Sequence, residues 1–327
     1  MAVMTYLEAI RETLRQELRR DDRMIIYGED VGVRGGVFRV TEGLQAEFGE
    51  DRVIDSPLAE AAIVGTAIGA AINGLRPVPE IEFADFIFPA INQIVQEAAR
   101  IRYRSNGDFG VPLVIRAPFG GGVHGALYHS QSVEALFAHV PGLKVVIPGT
   151  PYDAKGLLAS AIQDEDPVLY FEHKAAYRSL KGEVPDERYL IPIGKADVKR
   201  QGNDLSIITY GLMVSYAQRA AETLEKEGIS VEILDLRSIR PLDGEAILET
   251  AKKTGKVLIV HEDNLTGGIG GEVSALIAEH ALFYLDAPIV RLAGPDVPAM
   301  PYSPPLEHAF MVTPDKIAEA SRNLAKF

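Results

Sequence analysis

LSIITYGLMVSYAQRAAETLEKEGISVEILDL, residues 205–236, decides the fold class of this 327-residue chain. Its two ends, 205–209 and 231–236, are short apolar runs typical of buried strands, and 215–226 between them has the apolar spacing of a helix. Strands that alternate with helices favour parallel sheets covered by helices on both faces. The same alternation recurs along the whole chain, so the sequence predicts an α/β protein.

The alternation predicts two doubly wound domains, at residues 1–190 and 191–327. The stretch 178–194 interrupts the pattern, since it is polar, contains Pro185 and Pro192 and has no clear period. Before it, strands are predicted at 24–27, 112–116, 143–147 and 168–171, and helices at 90–103, 132–139 and 152–163. After residue 236, strands are predicted at 257–261 and 289–292, and helices at 245–253, 271–280 and 314–325.

Composition excludes several classes of protein. Hydrophobic residues make up 47% of the chain and charged residues 24%, without an apolar run long enough for a membrane span. A net charge of -13 argues against nucleic acid and suits a basic partner. The absence of cysteine excludes disulfides, and the acidic helix predicted near the start is unlike a targeting peptide. We therefore expect a cytoplasmic protein that binds neither membrane nor nucleic acid.

One acidic residue stands at the start of an apolar segment. Ser56-Pro57-Leu58-Ala59-Glu60 leads directly into the small and apolar residues 61–69. If Glu60 is buried there, its pKa rises toward neutrality and it can both give and take a proton. Alternatively, Ser56 caps a helix, Pro57 is its first residue, and Glu60 only complements the helix dipole. Both interpretations remain open on these residues alone.

A glycine-rich loop carries two histidines. Residues 120–125, Gly-Gly-Gly-Val-His-Gly, match the spacing of a dinucleotide-binding loop, but the next predicted helix starts only near Ser132. We therefore favour a loop that carries His124 and His129 into a cleft at the carboxyl end of a strand. His129 there serves either proton transfer or structure, and the sequence does not decide between them.

Two further segments have the composition of ion sites. Asp164-Glu165-Asp166-Pro167 follows a predicted helix end, where the dipole disfavours acids, so either a bound cation or a solvated turn explains it. Residues 264–271 are glycine-rich and precede a helix, an arrangement that suits an anion, although we favour helix packing. The chain lacks the Gly-Asp-Gly and later asparagine with which thiamine-diphosphate enzymes hold magnesium and diphosphate.

Together, ordered blocks from Met4 to Phe327 make the chain resemble the beta subunit of the decarboxylating component of 2-oxo acid dehydrogenase complexes. The resemblance implies a pyrimidine-type thiamine-diphosphate domain followed by a transketolase C-terminal-like domain. It also implies an alpha subunit that supplies Mg²⁺ and diphosphate binding in an alpha2beta2 heterotetramer. The blocks are 28–32 (GEDVG), 35–38 (GGVF), 57–60 (PLAE), 128–132 (YHSQS), 141–146 (PGLKVV), 150–158 (TPYDAKGLL) and 235–237 (DLR).

The resemblance assigns roles to five residues. Glu60 would hydrogen-bond the aminopyrimidine ring of thiamine diphosphate and assist its activation. Phe86 and Leu58 would line the pocket of that ring. Glu29 would belong to an acidic tunnel between two active sites, and His129 would serve decarboxylation and acyl transfer to the lipoyl arm.

Two additional sites follow from the resemblance. A monovalent cation, K⁺, would be bound by Val111, Leu113, Val114, Ala161, Asp164 and Asp166, although the family often has asparagine where Asp166 stands. Asp286 and Phe327 would dock the basic peripheral-subunit-binding domain of the dihydrolipoyl acyltransferase, whose lipoyl domain receives the acyl group.

The blocks 83–89, 124–131 and 293–302 resemble the branched-chain subgroup, so we expect 3-methyl-2-oxobutanoate and its homologues as substrates. Pyruvate is the alternative within the family. A scaffold subunit without chemistry is an answer of a different class, which Glu60 and His129 argue against. The chain's length and the missing magnesium segment disfavour a self-contained transketolase-like enzyme.

Overall fold

Three sheets, of seven, five and two strands, form the framework of the molecule, whose computed structural model describes residues 1–327. The strands are β1 Ala2–Thr5, β2 Met24–Gly28, β3 Val53–Asp55, β4 Arg76–Glu80, β5 Val114–Phe119, β6 Lys144–Val146, β7 Val168–His173, β8 Lys181–Val184, β9 Asp197–Arg200, β10 Leu205–Thr209, β11 Val231–Asp235, β12 Ser238–Arg240, β13 Val257–Asn264 and β14 Val290–Gly294. The helices are α1 Tyr6–Arg20, α2 Leu44–Phe48, α3 Glu60–Ile72, α4 Ile101–Arg104, α5 Glu134–Ala138, α6 Pro151–Gln163, α7 Ala176–Ser179, α8 Leu212–Glu225, α9 Gly244–Thr254, α10 Ile269–Ala281, α11 Pro304–Phe310 and α12 Pro314–Ala325.

The two large sheets are mostly parallel, which confirms the predicted α/β class. The seven strands lie in the order β12-β6-β7-β5-β4-β2-β3, and only β12 is antiparallel to its neighbour. The five strands lie in the order β14-β13-β10-β11-β9, with β9 antiparallel. Residues 205–236, whose pattern predicted the fold class, form β10, α8 and β11, and Leu205 lies opposite Val231 in the parallel pair.

Alternate residues of each central strand pack into two different apolar layers. In β7, Val168 and Tyr170 belong to a layer of 40 buried residues that includes α1, α6, α8 and α12. Leu169 and Phe171 belong to a layer of 39 that includes α3, α9 and α10. Because neighbouring side chains of a strand point to opposite faces, helices cover both faces of the sheets. Both layers cross from one large sheet to the other, and β12 joins the first sheet, so the division at 190/191 stays a prediction.

Strand β4 is absent from the sequence prediction because it contains Pro77 and Pro79. Five residue pairs join it to β2, whereas Glu80 opposite Arg116 is its only pair with β5. Prolines lack the amide hydrogen that a two-sided ladder needs. A central strand tolerates them here because its ladder toward β5 is short.

Two other predictions need correction. The interrupted stretch 178–194 is not an irregular linker throughout, because β8 pairs with β1 and Ile191 is buried. The helix predicted over 90–103 is not one continuous α-helix. It contains a π-helical segment, Gln93–Ala98, followed by the short α-helix α4. No helix of the molecule is long and apolar enough to cross a lipid bilayer.

Candidate active site

Glu60 is the first residue of α3, and its carboxylate is only half-buried. The expectation of a buried Glu60 is therefore wrong for this chain on its own. The capping roles of Ser56 and Pro57 are also wrong, since Ala59 precedes the helix without a side-chain cap, although Glu60 does lie in the first turn, where an acid complements the helix dipole. Ser56 instead extends the strand pairing, because its amide donates to the Gly28 carbonyl at 2.8 Å. Leu58 is 68% exposed beside Glu60, so an apolar and an acidic side chain both face outward.

Three acids lie at the carboxyl ends of neighbouring parallel strands, and we call Glu29, Glu60 and Glu82 the rim acids. Glu29 follows β2, Glu60 follows β3 and Glu82 follows β4. Burial and the charges of Asp30 and Glu60 raise the pKa of Glu29. Burial, together with the charges of Glu29, Asp30, Glu80 and Glu60, raises the pKa of Glu82 to about 7. The rim acids therefore sense each other's charge.

Sequence reasoning missed Glu82. The signal lay in Glu80 and Glu82, two acids at alternate positions after a run of buried residues. Because β4 was not predicted, however, the sequence did not show that these acids lie at the carboxyl end of a strand. The site thus has one more titrating group near neutral pH than the sequence indicated.

His129 lies against two aromatic rings at the end of β5. Its imidazole is edge-on to Phe83, with 4.6 Å between ring centroids, and to Phe86, with 5.4 Å. The structure therefore brings together His129 and Phe86, two residues predicted for the site. Helix α3, which begins with Glu60, packs on the adjoining segment Phe88–Ala90. The rings limit the motion of the imidazole while leaving it partly accessible.

Two carboxylates, Glu262 and Glu307, hold the glycine-rich loop through its backbone amides. Gly121 N donates to Glu262 at 2.6 Å. Gly122 N and His124 N each donate to Glu307 at 3.1 Å. These amides, which would face phosphate in a dinucleotide site, already have carboxylate acceptors, so the loop does not suit a dinucleotide. His124 also contacts Glu307 through Nδ1 at 2.5 Å, which turns this side chain toward α11.

The end of the same loop is held by Asp85. Its Oδ1 accepts from Ser130 N and Gln131 N, both at 3.1 Å. The buried ammonium of Lys174 lies 3.8 Å from Oδ2, and burial lowers the pKa of this lysine to about 8. Asp85 therefore anchors the residues that immediately follow His129.

The glycines of 264–271 are explained by packing. A Cβ on Gly268 would lie 2.5 Å from His261 Cε1, and one on Gly270 would lie 2.8 Å from His261 Nε2. The imidazole of His261 is buried directly beneath these glycines. The packing interpretation thus accounts for the loop without an anion.

The predicted cation and docking residues lie away from the rim acids. Asp164 and Asp166 follow the end of α6, where Lys144 and Arg102 respectively pair with them. Val111, Leu113, Val114 and Ala161 are buried nearby. Asp286 lies beside the turn into β13, with its amide donating to the Gly255 carbonyl at 2.8 Å. Phe327, at the chain's end, is 69% exposed.

Comparison with known proteins gives matches over the whole chain. Residues 2–179 match the pyrimidine binding domain of transketolase, and residues 194–317 match the transketolase C-terminal domain. The chain is 63% identical over 327 residues to 2-oxoisovalerate dehydrogenase subunit beta of Bacillus subtilis, with full coverage of both. It is 51% identical, also at full coverage, to the pyruvate dehydrogenase E1 component subunit beta of the same organism.

A solved structure shows the same fold at low identity. The protein titled split gene transketolase, inactive beta4 tetramer, superposes with a TM-score of 0.79 and 22% identity, over 99% of this chain and 98% of its own. This likeness agrees with the two matched domains and with the layered sheets described above. The chain belongs to the family of beta subunits of 2-oxo acid dehydrogenases, built from a transketolase pyrimidine-binding domain and a transketolase C-terminal domain.

Proposed function

We propose that this chain is the beta subunit of a branched-chain 2-oxo acid dehydrogenase. With an alpha subunit it catalyses the thiamine-diphosphate-dependent oxidative decarboxylation of 3-methyl-2-oxobutanoate and its homologues, and the reductive acylation of a lipoyl domain. The observation that carries this proposal is the 63% identity to the 2-oxoisovalerate relative, against 51% to the pyruvate relative of the same organism. Both relatives align over their full length, so the difference in identity reflects the residues and not the extent of the alignment.

The residues at the rim fit one half of a thiamine diphosphate site. Glu60 has no cation within ion-pair distance, and Leu58, two residues before it, exposes an apolar side chain. Leu58 and Phe86 would line the faces of the aminopyrimidine ring, and Glu60 would hold its ring nitrogen. When bound, the cofactor would supply a carbon nucleophile that adds to the 2-oxo carbon, and its cationic ring would take up the electron pair left when carbon dioxide departs.

Glu60 and Glu29 would move protons at this rim. An unpaired carboxylate can accept and return a proton without first breaking an ion pair. Glu29 and Glu60 influence each other electrostatically, so a proton gained by one is felt by the other. We place both in the route by which protons reach and leave the cofactor.

His129 would act at the lipoyl group. Reductive acylation breaks the disulfide of this group, so that one sulfur takes the acyl group and the other takes a proton. A histidine can supply that proton near neutral pH. Phe83 and Phe86 contact the imidazole edge-on, which limits its rotation.

The exposure of Glu60 and Leu58 supports a partner that covers them. We assign this place to the alpha subunit, in an alpha2beta2 heterotetramer. We also assign Mg²⁺ and the diphosphate group to that subunit. In this chain no three acidic or histidine side chains are arranged to hold a metal ion.

We further propose that the acyltransferase core docks on the second half of the chain. Asp286 and Phe327 are exposed there, beside residues Gly255 and Lys256 at the entry to β13. A net charge of -13 favours a basic partner such as a peripheral-subunit-binding domain.

The first experiment measures decarboxylation by this chain co-purified with its alpha partner, in the presence of thiamine diphosphate and Mg²⁺. We expect kcat/KM for 3-methyl-2-oxobutanoate to exceed that for pyruvate by about 10- to 200-fold, the discrimination that an apolar pocket achieves between such homologues. A preference for pyruvate would contradict the substrate assignment and leave the family unchanged. A complex that decarboxylates neither acid would instead favour the scaffold interpretation.

A further inference from the structure

The carboxyl end of α6 concentrates negative charge. Asp164, Glu165 and Asp166, which we call the α6-end acids, follow directly on Gln163, the last residue of the helix. The helix dipole adds partial negative charge at the same place. A cation is needed here on physical grounds, and the resemblance to the family suggested K⁺.

Arg76 supplies a positive charge at this helix end. Its side chain is 13% exposed, and Nη1 donates to the carbonyl of Ile162 at 3.0 Å and to that of Asp164 at 3.2 Å. Nη2 pairs with the carboxylate of Glu165. The planar guanidinium of Arg76 thus binds two main-chain carbonyl oxygens and one carboxylate. A monovalent cation would bind oxygen ligands of the same kind.

The other two acids are also matched by cations of the chain. Lys144 Nζ lies 2.7 and 2.6 Å from the two carboxylate oxygens of Asp164. Arg102 Nε pairs with Asp166, and Arg102 Nη2 donates to the Glu165 carbonyl at 2.9 Å. Each of the α6-end acids therefore has at least one basic partner, and Asp166 also lies 3.9 Å from Lys144 Nζ.

The main-chain oxygens of the predicted ion site are engaged as well. The Leu113 carbonyl accepts from Val168 N at 2.9 Å, and the Ala161 carbonyl accepts from Asp164 N at 3.1 Å. The Asp164 carbonyl is the one bound by Arg76. The predicted ligand set thus does not fit K⁺, because both of its carboxylates are paired with basic side chains and Arg76 binds the Asp164 carbonyl.

We propose that Arg76 replaces a monovalent cation at the end of α6, so that this chain holds no such ion there. Removal of the guanidinium leaves the Ile162 and Asp164 carbonyls and the Glu165 carboxylate without a positive charge. These oxygens are hard ligands of the kind that alkali cations prefer. The variant Arg76→Ala therefore gains a monovalent cation site that the natural chain lacks.

The test counts bound ions on the complete complex with the alpha subunit. Equilibrium dialysis against radioactive rubidium, a substitute for K⁺, is made with the natural complex and with Arg76→Ala. We expect one additional rubidium ion per copy of this chain in the variant. Ions held by the alpha subunit are common to both samples and cancel in the difference. An unchanged count would overturn the proposal, and ion counting does not depend on which reaction the complex catalyses.

Thermal unfolding gives a second readout. In choline chloride, Arg76→Ala should unfold at least about 2 °C below the natural complex. Potassium chloride at equal ionic strength should restore more of this loss than sodium chloride does. The matched control is Arg104→Ala, which removes an arginine with an exposed ion pair to Glu97 and should show no ion specificity. Equal responses of the two variants to K⁺ would contradict the proposal.

A variant in a different position keeps the proposal testable if Arg76→Ala does not fold. Asp164→Asn removes one acid from the predicted ligand set while Arg76 stays in place. If Arg76 is the resident cation, the rubidium count of Asp164→Asn equals that of the natural complex. A count reduced by one ion per copy of this chain would show a resident ion and overturn the proposal.

Discussion

The rim acids and the α6-end acids are both clusters of carboxylates, but they differ in the charge of their neighbours. Asp164, Glu165 and Asp166 each have a lysine or arginine partner. Glu29, Glu60 and Glu82 face one another, and this mutual repulsion contributes to the raised pKa values of Glu29 and Glu82. A neighbouring cation favours the charged form of an acid, whereas burial and neighbouring acids disfavour it, as the raised pKa values of Glu29 and Glu82 show. The contrast separates acids that hold the fold from acids that suit catalysis.

The largest effect on activity is expected at Glu60. Glu60→Gln keeps the shape of the side chain and removes its proton exchange, so decarboxylation should fall by about 10²- to 10⁴-fold. Stability should change little, by about 0.5 kcal/mol or less, because no ion pair is lost. The measurement is turnover of the complex together with its unfolding midpoint, and exposed Glu50→Gln is the control. Near-normal turnover would remove Glu60 from the chemistry.

The largest effect on stability is expected where acids are both paired and buried. Arg116 is fully buried, with Nη1 2.6 Å from Glu80 and Nε 2.6 Å from Glu172. Arg116→Met leaves two buried acids without their cation, so denaturant unfolding should show a loss of about 3–5 kcal/mol. Arg104→Met removes an exposed pair and should cost about 0–1 kcal/mol. Equal losses in the two variants would show that burial does not distinguish these pairs.

The sequence predicted most strands and helices because their apolar runs have a clear period. It missed β4 because Pro77 and Pro79 are unfavourable in a central strand, and only the short ladder toward β5 permits them. It also gave Ser56 the wrong role, because the hydrogen bond from Ser56 N to Gly28 joins residues that are distant in sequence. Local propensity cannot reveal such tertiary contacts.

The site was predicted in part. Sequence and resemblance selected Glu60, Phe86 and His129, and the structure places the last two in contact. The partners of the α6-end acids could not be predicted, since Arg76 and Arg102 lie more than sixty residues away in sequence. The acids themselves were visible as a run, and the helix dipole showed that they needed a cation. Which cation serves them is a property of the packed chain.

An intermediate effect is expected at Asp85, which positions His129 without touching substrate. Asp85→Asn weakens the acceptor of Ser130 N and Gln131 N and removes the carboxylate that lies 3.8 Å from the buried ammonium of Lys174. Acyl transfer to the lipoyl domain should fall about 10-fold through misplacement of His129. Oxidation by an artificial electron acceptor, which bypasses the lipoyl domain, should fall much less. Exposed Asp108→Asn is the control, and equal losses in both assays would assign Asp85 to the general fold.

The smallest effect is a change in pH dependence at Glu82. Burial and neighbouring charges raise its pKa from 4.5 to about 7, so the folded chain binds this proton more tightly than the unfolded chain does. The contribution of Glu82 to stability therefore falls as the pH rises through this interval, and it is most favourable below it. Glu82→Gln removes the titrating group, so the unfolding midpoint should decline less between about pH 4.5 and about pH 7 than that of the natural complex. Exposed Glu50→Gln should keep the natural slope. If Glu82→Gln also keeps the natural slope of the unfolding midpoint against pH, the pKa of Glu82 is not raised in the complex. The rim acids and the α6-end acids would then not differ in their titration.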